Sequence, residues 1–433
     1  MTPVATPLPQ LDPATDASQA IPPCPHFGPC GGCQLQNLAY DAQLADKRRQ
    51  LESLLEPAGL NLPDIQMHSG QPFGYRNRVR FTLQPYRGLV RAGYLSVRHD
   101  DTPQDGADPL EEAVPSDIPA AQAHAAFVPV TQCPISADLL WHATEAFLAE
   151  VNRRSITWIE RAPFTLDQLE LFTNADESQL QLSLLVRTSA RGLPDRFENE
   201  LTALCEAIQQ QIPQLCGAGM YLLPPKAGRS RRAEQPRPGP AWGSRGINYT
   251  VSAHGSFAET TYWVPRGSFF QVNRTLLPEL AELVTAGRSG SLAWDLYAGV
   301  GLFTKPLAAK FQRITSVEVA EPSFTALASA RMPNRHAVKS TTLEFLHQAV
   351  VQREVPDLIL LDPPRTGAGE EVCELLGRIG AREIVYVSCS PHTLPADLAT
   401  LTAAGYAVTE LHLLDLFPQT RHIETVAMLR RTK

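Results

Sequence analysis

The stretch LAWDLYAGVGLF, residues 292–303, decides the fold. An apolar run carrying Asp295 enters a turn with Gly299 and Gly301, and the next apolar run, ITSVE (314–318), ends on Glu318. Glycine tolerates the left-handed backbone of a sharp strand-to-helix turn and lets a ligand approach the chain closely. An acid at the end of the second strand can accept hydrogen bonds from ribose hydroxyls. The third glycine of the dinucleotide fingerprint is missing. A nucleoside cofactor without a pyrophosphate, such as S-adenosylmethionine, therefore fits better than a dinucleotide.

The same grammar repeats on either side. Helical patterns such as LLPELAELVTAG (276–287) alternate with short apolar runs such as DLILL (357–361) and EIVYV (383–387). Such alternation predicts βα units and a largely parallel sheet, with ligands held beyond the carboxyl ends of its strands. Three reactive groups fall at such ends. Asp362 opens the stiff DPPR turn (362–365), Cys389 emerges at the end of EIVYVSCS, and Glu424 stands just before the apolar run VAML. A buried structural thiol belongs inside a strand rather than at its polar end. A carboxylate beside an apolar run costs energy unless it is paired or used.

A thiol, a carboxylate and a methyl donor together suggest one reaction. Thiolate addition to C6 of uracil makes C5 nucleophilic enough to take a methyl group. A base then removes the C5 proton, and loss of the thiolate restores the ring. Cys389 is the expected nucleophile and Glu424 the expected base, with Asp362 orienting the ring.

Near the N-terminus, CPHFGPCGGC holds Cys24, Cys30 and Cys33, and Cys133 in QCPIS is the fourth of the set. Four thiolates suit either a tetrahedral zinc or a cubane iron–sulfur cluster. Spacing leaves both open, together with ordinary thiols, although the five residues between Cys24 and Cys30 lean toward iron–sulfur. Cys205, Cys216 and Cys373 read as small buried hydrophobes, and His26 as a loop histidine.

Elsewhere, residues 34–57 read as a helix with Leu44, Leu51 and Leu55 on one face. In YRNRVRFTL, alternation puts Val79, Phe81 and Leu83 on one face and Arg76, Arg78 and Arg80 on the other, an expected platform for an RNA backbone. Residues 100–117 carry seven acids and no Lys or Arg, which makes 99–123 an expected solvated acidic insertion. Residues 223–240 carry five bases and one acid and read as a mobile basic loop.

A hydrophobic share of 43% in 433 residues supports several cores, and a net charge of −7 excludes a wholesale basic coating but not a local nucleic-acid site. No run of 18 apolar residues or basic-headed leader is present, so neither a membrane span nor a signal peptide is expected. Eight cysteines are too few for a disulfide scaffold.

Jointly, SFFQVN (268–273), DLYAGVG (295–301), DPPR (362–365), YVSCSPHTLPADL (386–398) and FPQTRHIETVAML (417–429) resemble the RNA uracil-5 methyltransferase family. CPHFGPCGGCQLQ, YRNRVRF and QCPI resemble that family's cluster-bearing branch, which typically modifies 23S ribosomal RNA. The resemblance runs from about residue 22 to the end. It implies Cys389 as nucleophile and Glu424 as base, with Gln271, Tyr297, Gly299, Gly301, Glu318 and Asp362 around S-adenosylmethionine. It also implies Cys24, Cys30, Cys33 and Cys133 as ligands of a [4Fe–4S] cluster. Ser390 replaces the Asp or Asn common in the nucleophile string. Leu302 replaces a usual polar residue, which implies one fewer cofactor hydrogen bond. Only 23 residues precede Cys24, too few for the TRAM domain of one subgroup, which favours uridine 747 over 1939 as target.

The expected architecture is α/β. It comprises a tail (1–22), a cysteine cluster and helix (23–60), a mainly β central RNA-binding domain (61–264), and a Rossmann-like class I methyltransferase domain (265–433). The expectation is a cytoplasmic enzyme acting on a single-stranded or opened uridine loop of 23S ribosomal RNA, with no obligate protein partner. Alternatives are a transfer-RNA uracil-5 enzyme, a cytosine-5 enzyme, a radical iron–sulfur enzyme, and a non-catalytic RNA-binding or assembly protein.

Overall fold

The computed structural model describes residues 18–96, 126–154, 164–190, 192–224 and 236–432. The acidic stretch 99–123, residues 1–17 and most of the basic stretch 223–240 lie outside these.

Helix α1 (Tyr40–Leu55) starts later than periodicity suggests. The Gln34 and Leu35 N–H groups donate instead to the Gln419 carbonyl, at 2.9 and 3.0 Å. Its end follows the expected signals, a turn containing Pro57 and then left-handed Gly59. The buried stripe is Gln43, Lys47, Leu51 and Leu55, so Leu44 is off it. Residues 18–22, expected in the tail, are partly paired: Gln19 bridges Leu38, and the Ala39 N–H donates to Ser18 O at 2.8 Å. Strand β1 (Ile65–His68) falls in the stretch expected to be central, yet it pairs with the far C-terminal part of the chain.

The central layer is a seven-stranded sheet, β4-β3-β2-β5-β6-β7-β8. Its strands are β2 (Arg78–Tyr86), β3 (Leu89–Leu95), β4 (Phe127–Pro129), β5 (Phe164–Thr173), β6 (Leu180–Thr188), β7 (Leu215–Leu223) and β8 (Arg237–Gly243). All pairs are antiparallel except β6–β7. Helices α2 (Asp138–Arg153) and α3 (Arg196–Gln211) share its apolar core, which takes in Val79, Phe81 and Leu83 as their alternation predicts. The arginine face is corrected. Arg80 is paired with Glu170, Arg78 lies 3.8 Å from the same carboxylate and 4.2 Å over the Phe172 ring, and Arg76 is buried. The partner strand β5 supplies a carboxylate opposite the row, so these guanidiniums are not a solvent-facing platform. Residues 237–240, expected in the basic loop, form part of edge strand β8.

A hairpin of β9 (Gly246–Val251) and β10 (Thr260–Pro265) leads to α4 (Leu277–Thr285) and the C-terminal sheet. That sheet has the order β13-β12-β11-β14-β15-β17-β16-β1. Its strands are β11 (Gly290–Leu296), β12 (Phe311–Glu318), β13 (Arg335–Lys339), β14 (Leu358–Leu361), β15 (Glu383–Ser388), β16 (Tyr406–Leu414) and β17 (Glu424–Arg431). Between them run α5 (Thr304–Ala308), α6 (Glu321–Ser329), α7 (Thr342–Gln352), α8 (Glu370–Ile379) and α9 (Leu394–Ala403). Strand order reverses at β11/β14, the switch point where a doubly wound sheet binds its ligand. β17 is antiparallel to both neighbours.

Both faces of this sheet are buried, as the near-continuous apolar runs predict. Leu292, Trp294 and Leu296 enter one core, while Ala293, Leu358, Leu360, Val385 and Val387 enter the other. No helix among the described residues is long and apolar enough to cross a membrane.

Candidate active site

The chain turns at the carboxyl end of β11 through left-handed Tyr297 (φ 61°), Gly299 (φ 56°) and Gly301 (φ 90°). The Ala298 N–H donates to the Val317 carbonyl at 2.9 Å, which docks the turn against β12. Glu318 completes it: one carboxylate oxygen accepts the Gly299 N–H at 2.8 Å, the other the Ala320 N–H at 2.6 Å. A Cβ at Gly301 would come within 2.9 Å of Leu327, whereas one at Gly299 would meet nothing within 4 Å. The first glycine therefore faces open space, and the second is needed for packing.

Asp295 is buried behind this turn. One oxygen accepts from the Thr304 hydroxyl at 2.5 Å, and the other is buried without a hydrogen-bond partner. Burial pushes its carboxyl up to about 7. Asp295 is a residue of this turn sequence to which sequence reasoning assigns no role, and its orphaned oxygen singles it out. Leu302 lies in the core, and its carbonyl accepts from the Tyr262 hydroxyl at 2.7 Å.

The other strand ends line up along the same edge. Leu296 is level with Leu361, and the Asp362 N–H donates back to the Leu296 carbonyl at 3.4 Å. The last pair of the β15–β17 ladder is Ser388 with Thr425. Directly beyond this pair stand half-buried Cys389, in a bend that follows β15, and Glu424, which begins β17 and is 2% exposed. Alternation also fixes a face. Val385 and Val387 on β15, Val426 and Met428 on β17, and Leu358 and Leu360 on β14 all enter one core. Glu424, in β17, shares the face of Val426 and Met428, while Asp362 and Cys389 are the residues that directly follow β14 and β15. Phe270 and Val272, the neighbours of buried Gln271, belong to this core too. The Gln271 carbonyl accepts from the Asn77 side chain at 3.0 Å. Beside Gln271, Phe270 is in the core and Phe269 is 54% exposed.

Neighbouring strands lie about 4.8 Å apart, so Asp362, Cys389 and Glu424 occupy consecutive positions across roughly 10 Å.

The cysteines form a separate cluster. Cys24, Cys30, Cys33 and Cys133 line one cavity with Tyr94 and Gln36. Burial pushes the Cys30 thiol up to about 12, with the neighbouring Cys133 and Cys24 adding to the shift. Burial likewise raises Cys133, partly offset by Arg76. His26 accepts the Thr131 N–H at 2.9 Å rather than facing a ligand. Among the described residues no group of three or more His, Cys, Asp or Glu has the arrangement for holding a metal ion.

A family model described as tRNA (Uracil-5-)-methyltransferase matches residues 256–432. The 23S rRNA (uracil(1939)-C(5))-methyltransferase RlmD of Pseudomonas putida is 31% identical over 417 residues, covering 94% of this chain and 79% of that protein. The 23S rRNA (uracil(747)-C(5))-methyltransferase RlmC of Xenorhabdus nematophila is 26% identical, covering 93% of this chain and 97% of its own length. Among solved structures, the Pyrococcus abyssi tRNA (uracil-54, C5)-methyltransferase in complex with S-adenosyl-L-homocysteine superposes with a TM-score of 0.63 at 20% identity, over 92% of this chain and 85% of that one. The shared fold is that of a class I methyltransferase.

Proposed function

The chain belongs to the RNA uracil-5 methyltransferase family, and from that premise we propose that it methylates C5 of a uridine in 23S ribosomal RNA through a covalent Cys389–C6 adduct. The observation that supports this reading is the β15–β17 ladder, whose last pair, Ser388 with Thr425, is immediately followed by Cys389 and preceded by Glu424 in the chain.

S-adenosylmethionine supplies an electrophilic methyl group. Its region has the features such a cofactor needs: open space at Gly299, a carboxylate at Glu318, and a buried unpartnered oxygen on Asp295. Tyr297, Gly301, Gln271 and Asp362 are the other residues that would hold it.

The Cys389 thiolate bonds to uracil C6, and the electron pair of the C5–C6 double bond becomes available at C5 for the methyl group. Glu424 then accepts the C5 proton. The C5–C6 double bond reforms, the S–C6 bond breaks, and the thiolate is regenerated. Uracil must leave its stack to reach a thiol at a strand end, so a single-stranded or easily opened loop is the fitting substrate.

Cys24, Cys30, Cys33 and Cys133 are the proposed ligands of a [4Fe–4S] cluster. Desolvation raises the Cys24, Cys30, Cys33 and Cys133 thiols, which makes them poor anions on their own, and an iron–sulfur core would give them their counter-charge. Their convergence on one cavity supports this reading. The methyl transfer requires no electron, so the cluster's role here is structural. The enzyme is read as cytoplasmic, with no obligate protein partner.

Uridine 747 remains the proposed target. The greater identity to the uridine 1939 relatives favours that position as a second reading. Mapping 5-methyluridine in ribosomal and transfer RNA from cells with and without the gene tests both. Loss of the mark at one 23S uridine is the expected result. Loss only in transfer RNA, or of 5-methylcytidine, overturns the ribosomal assignment.

A further inference from the structure

The 415–423 loop joins β16 to Glu424, and it is buried almost throughout: Asp415, Leu416, Phe417, Gln419, Thr420 and Ile423 are each at most 4% exposed. Buried backbone must be hydrogen-bonded. Here the partners come from far away in the chain. Lys47 donates to the Phe417 carbonyl at 2.9 Å and to the Asp415 carboxylate at 2.6 Å. Tyr75 donates to the Pro418 carbonyl and Asn273 to the Leu416 carbonyl, both at 2.9 Å.

Gln419 is the most constrained point. It is a non-glycine residue at φ 70°. Its carbonyl accepts both the Gln34 and Leu35 N–H groups, its own N–H donates to the Gln43 side-chain oxygen at 3.1 Å, and its side-chain oxygen accepts from Gln43 at 3.0 Å. A left-handed non-glycine backbone costs about 1–3 kcal/mol and persists only where its surroundings over-determine it. Gln34 directly follows Cys33, so the cysteine segment itself supplies part of this hold. None of these bonds involves β15, the strand that Cys389 directly follows.

We propose that Gln43 and Gln419 are positioning residues for Glu424: the helix–loop clamp fixes where the base stands without setting where the nucleophile stands. This rests on the catalytic reading above. Proton removal needs a carboxylate within hydrogen-bond reach of C5, and displacement by about 1 Å can cost about 100-fold. Loosening the clamp therefore slows collapse of the adduct and leaves its formation intact.

The test is a single-turnover reaction of the full-length protein with uridine RNA and S-adenosylmethionine. Covalent complex is read on a denaturing gel, and released 5-methyluridine by chromatography. Gln43→Met, close in shape to the native residue, is expected to slow release by about 10- to 100-fold and to change adduct formation by no more than about twofold. Gln419→Val, which resists φ 70°, should shift the same partition by about tenfold, and Gln419→Gly, which accepts that backbone, by clearly less. With 5-fluorouridine RNA there is no C5 proton to remove, so Gln43→Met and Gln419→Val, the two variants expected to loosen the clamp, should both match the wild-type adduct yield. Equal loss of formation and release, a lowered 5-fluorouridine yield in folded protein, or a partition indistinguishable from wild type in both variants overturns the positioning role. If the wild-type protein forms no adduct and no 5-methyluridine, the catalytic reading fails along with it.

Discussion

Cys389 and Glu424 are asked for opposite things, and their settings reflect it. The thiol stands at an open strand end, half-buried, where a base can reach it. The carboxylate starts a strand and is almost wholly enclosed, which holds it to one position. Replacing each should stop the proposed cycle at a different point. Cys389→Ala should give neither adduct nor product. Glu424→Gln should accumulate methylated RNA bound to protein on a denaturing gel, with turnover lower by about 100-fold or more, the scale of a lost general base. Asp295 makes a separate, pH-dependent prediction. Its folded value of about 7 lies above the ordinary 3.8. The folded state therefore holds a proton that the unfolded chain releases. The resulting stabilisation is complete below about pH 4 and is lost as pH rises through about 7. A shift of about three units corresponds to roughly 4 kcal/mol. Denaturant titrations of the cofactor-free protein between pH 4 and 8 should show wild type losing stability relative to Asp295→Asn over that window. Parallel curves would remove Asp295 as the titrating group.

At the scale of elements, α1 carries the clearest departure from what periodicity foretells. Its apolar residues suggest a Leu44–Leu51–Leu55 face, but the buried row is spaced by four and begins Gln43, Lys47. That row was present in the sequence as positions 43, 47, 51 and 55. Nothing local marks it as buried, because lysine is almost never fully buried unless paired. The pairing partner, Asp415, is 368 residues away and invisible to any local pattern. The same blindness hid Glu170 behind Arg78 and Arg80, and the β16 partner of β1. What was legible depends on local physics: the glycine turn, the strand-end position of Asp362, Cys389 and Glu424, and the alternation in β2. Burial lowers the Lys47 ammonium while Asp415 opposes the shift. Removing one member leaves a buried charge alone. Lys47→Met should therefore cost about 3–5 kcal/mol in denaturant unfolding, and adding Asp415→Asn should recover most of the loss. Simple additivity of the two substitutions would mean the pair is not coupled.

Across the whole molecule, the N-terminal segment is shared between sheets rather than appended to one. α1 contributes Leu51 and Leu55 to the core beneath the C-terminal sheet, and β1 forms that sheet's edge. The cysteine cavity is closed from the other side by Tyr94, Val130 and Ile135 of the central unit. Cys133 therefore has to be brought to Cys24, Cys30 and Cys33 by the central sheet before four ligands exist, and the proposed cluster acts as a cross-link between distant parts of the chain. Such a cross-link stabilises only the folded state, through its free energy of binding. Protein purified without oxygen should then contain about four iron and four sulfide per chain, held by the four cysteines. Cys30→Ser should lower that content, and its unfolding midpoint should fall to that of wild type stripped with a chelator. Stripping should not lower the Cys30→Ser midpoint further. Wild-type protein that carries one zinc instead, with the same loss on chelation, would keep the cross-link and discard the iron–sulfur assignment. An unchanged midpoint after complete metal removal would discard the cross-link itself.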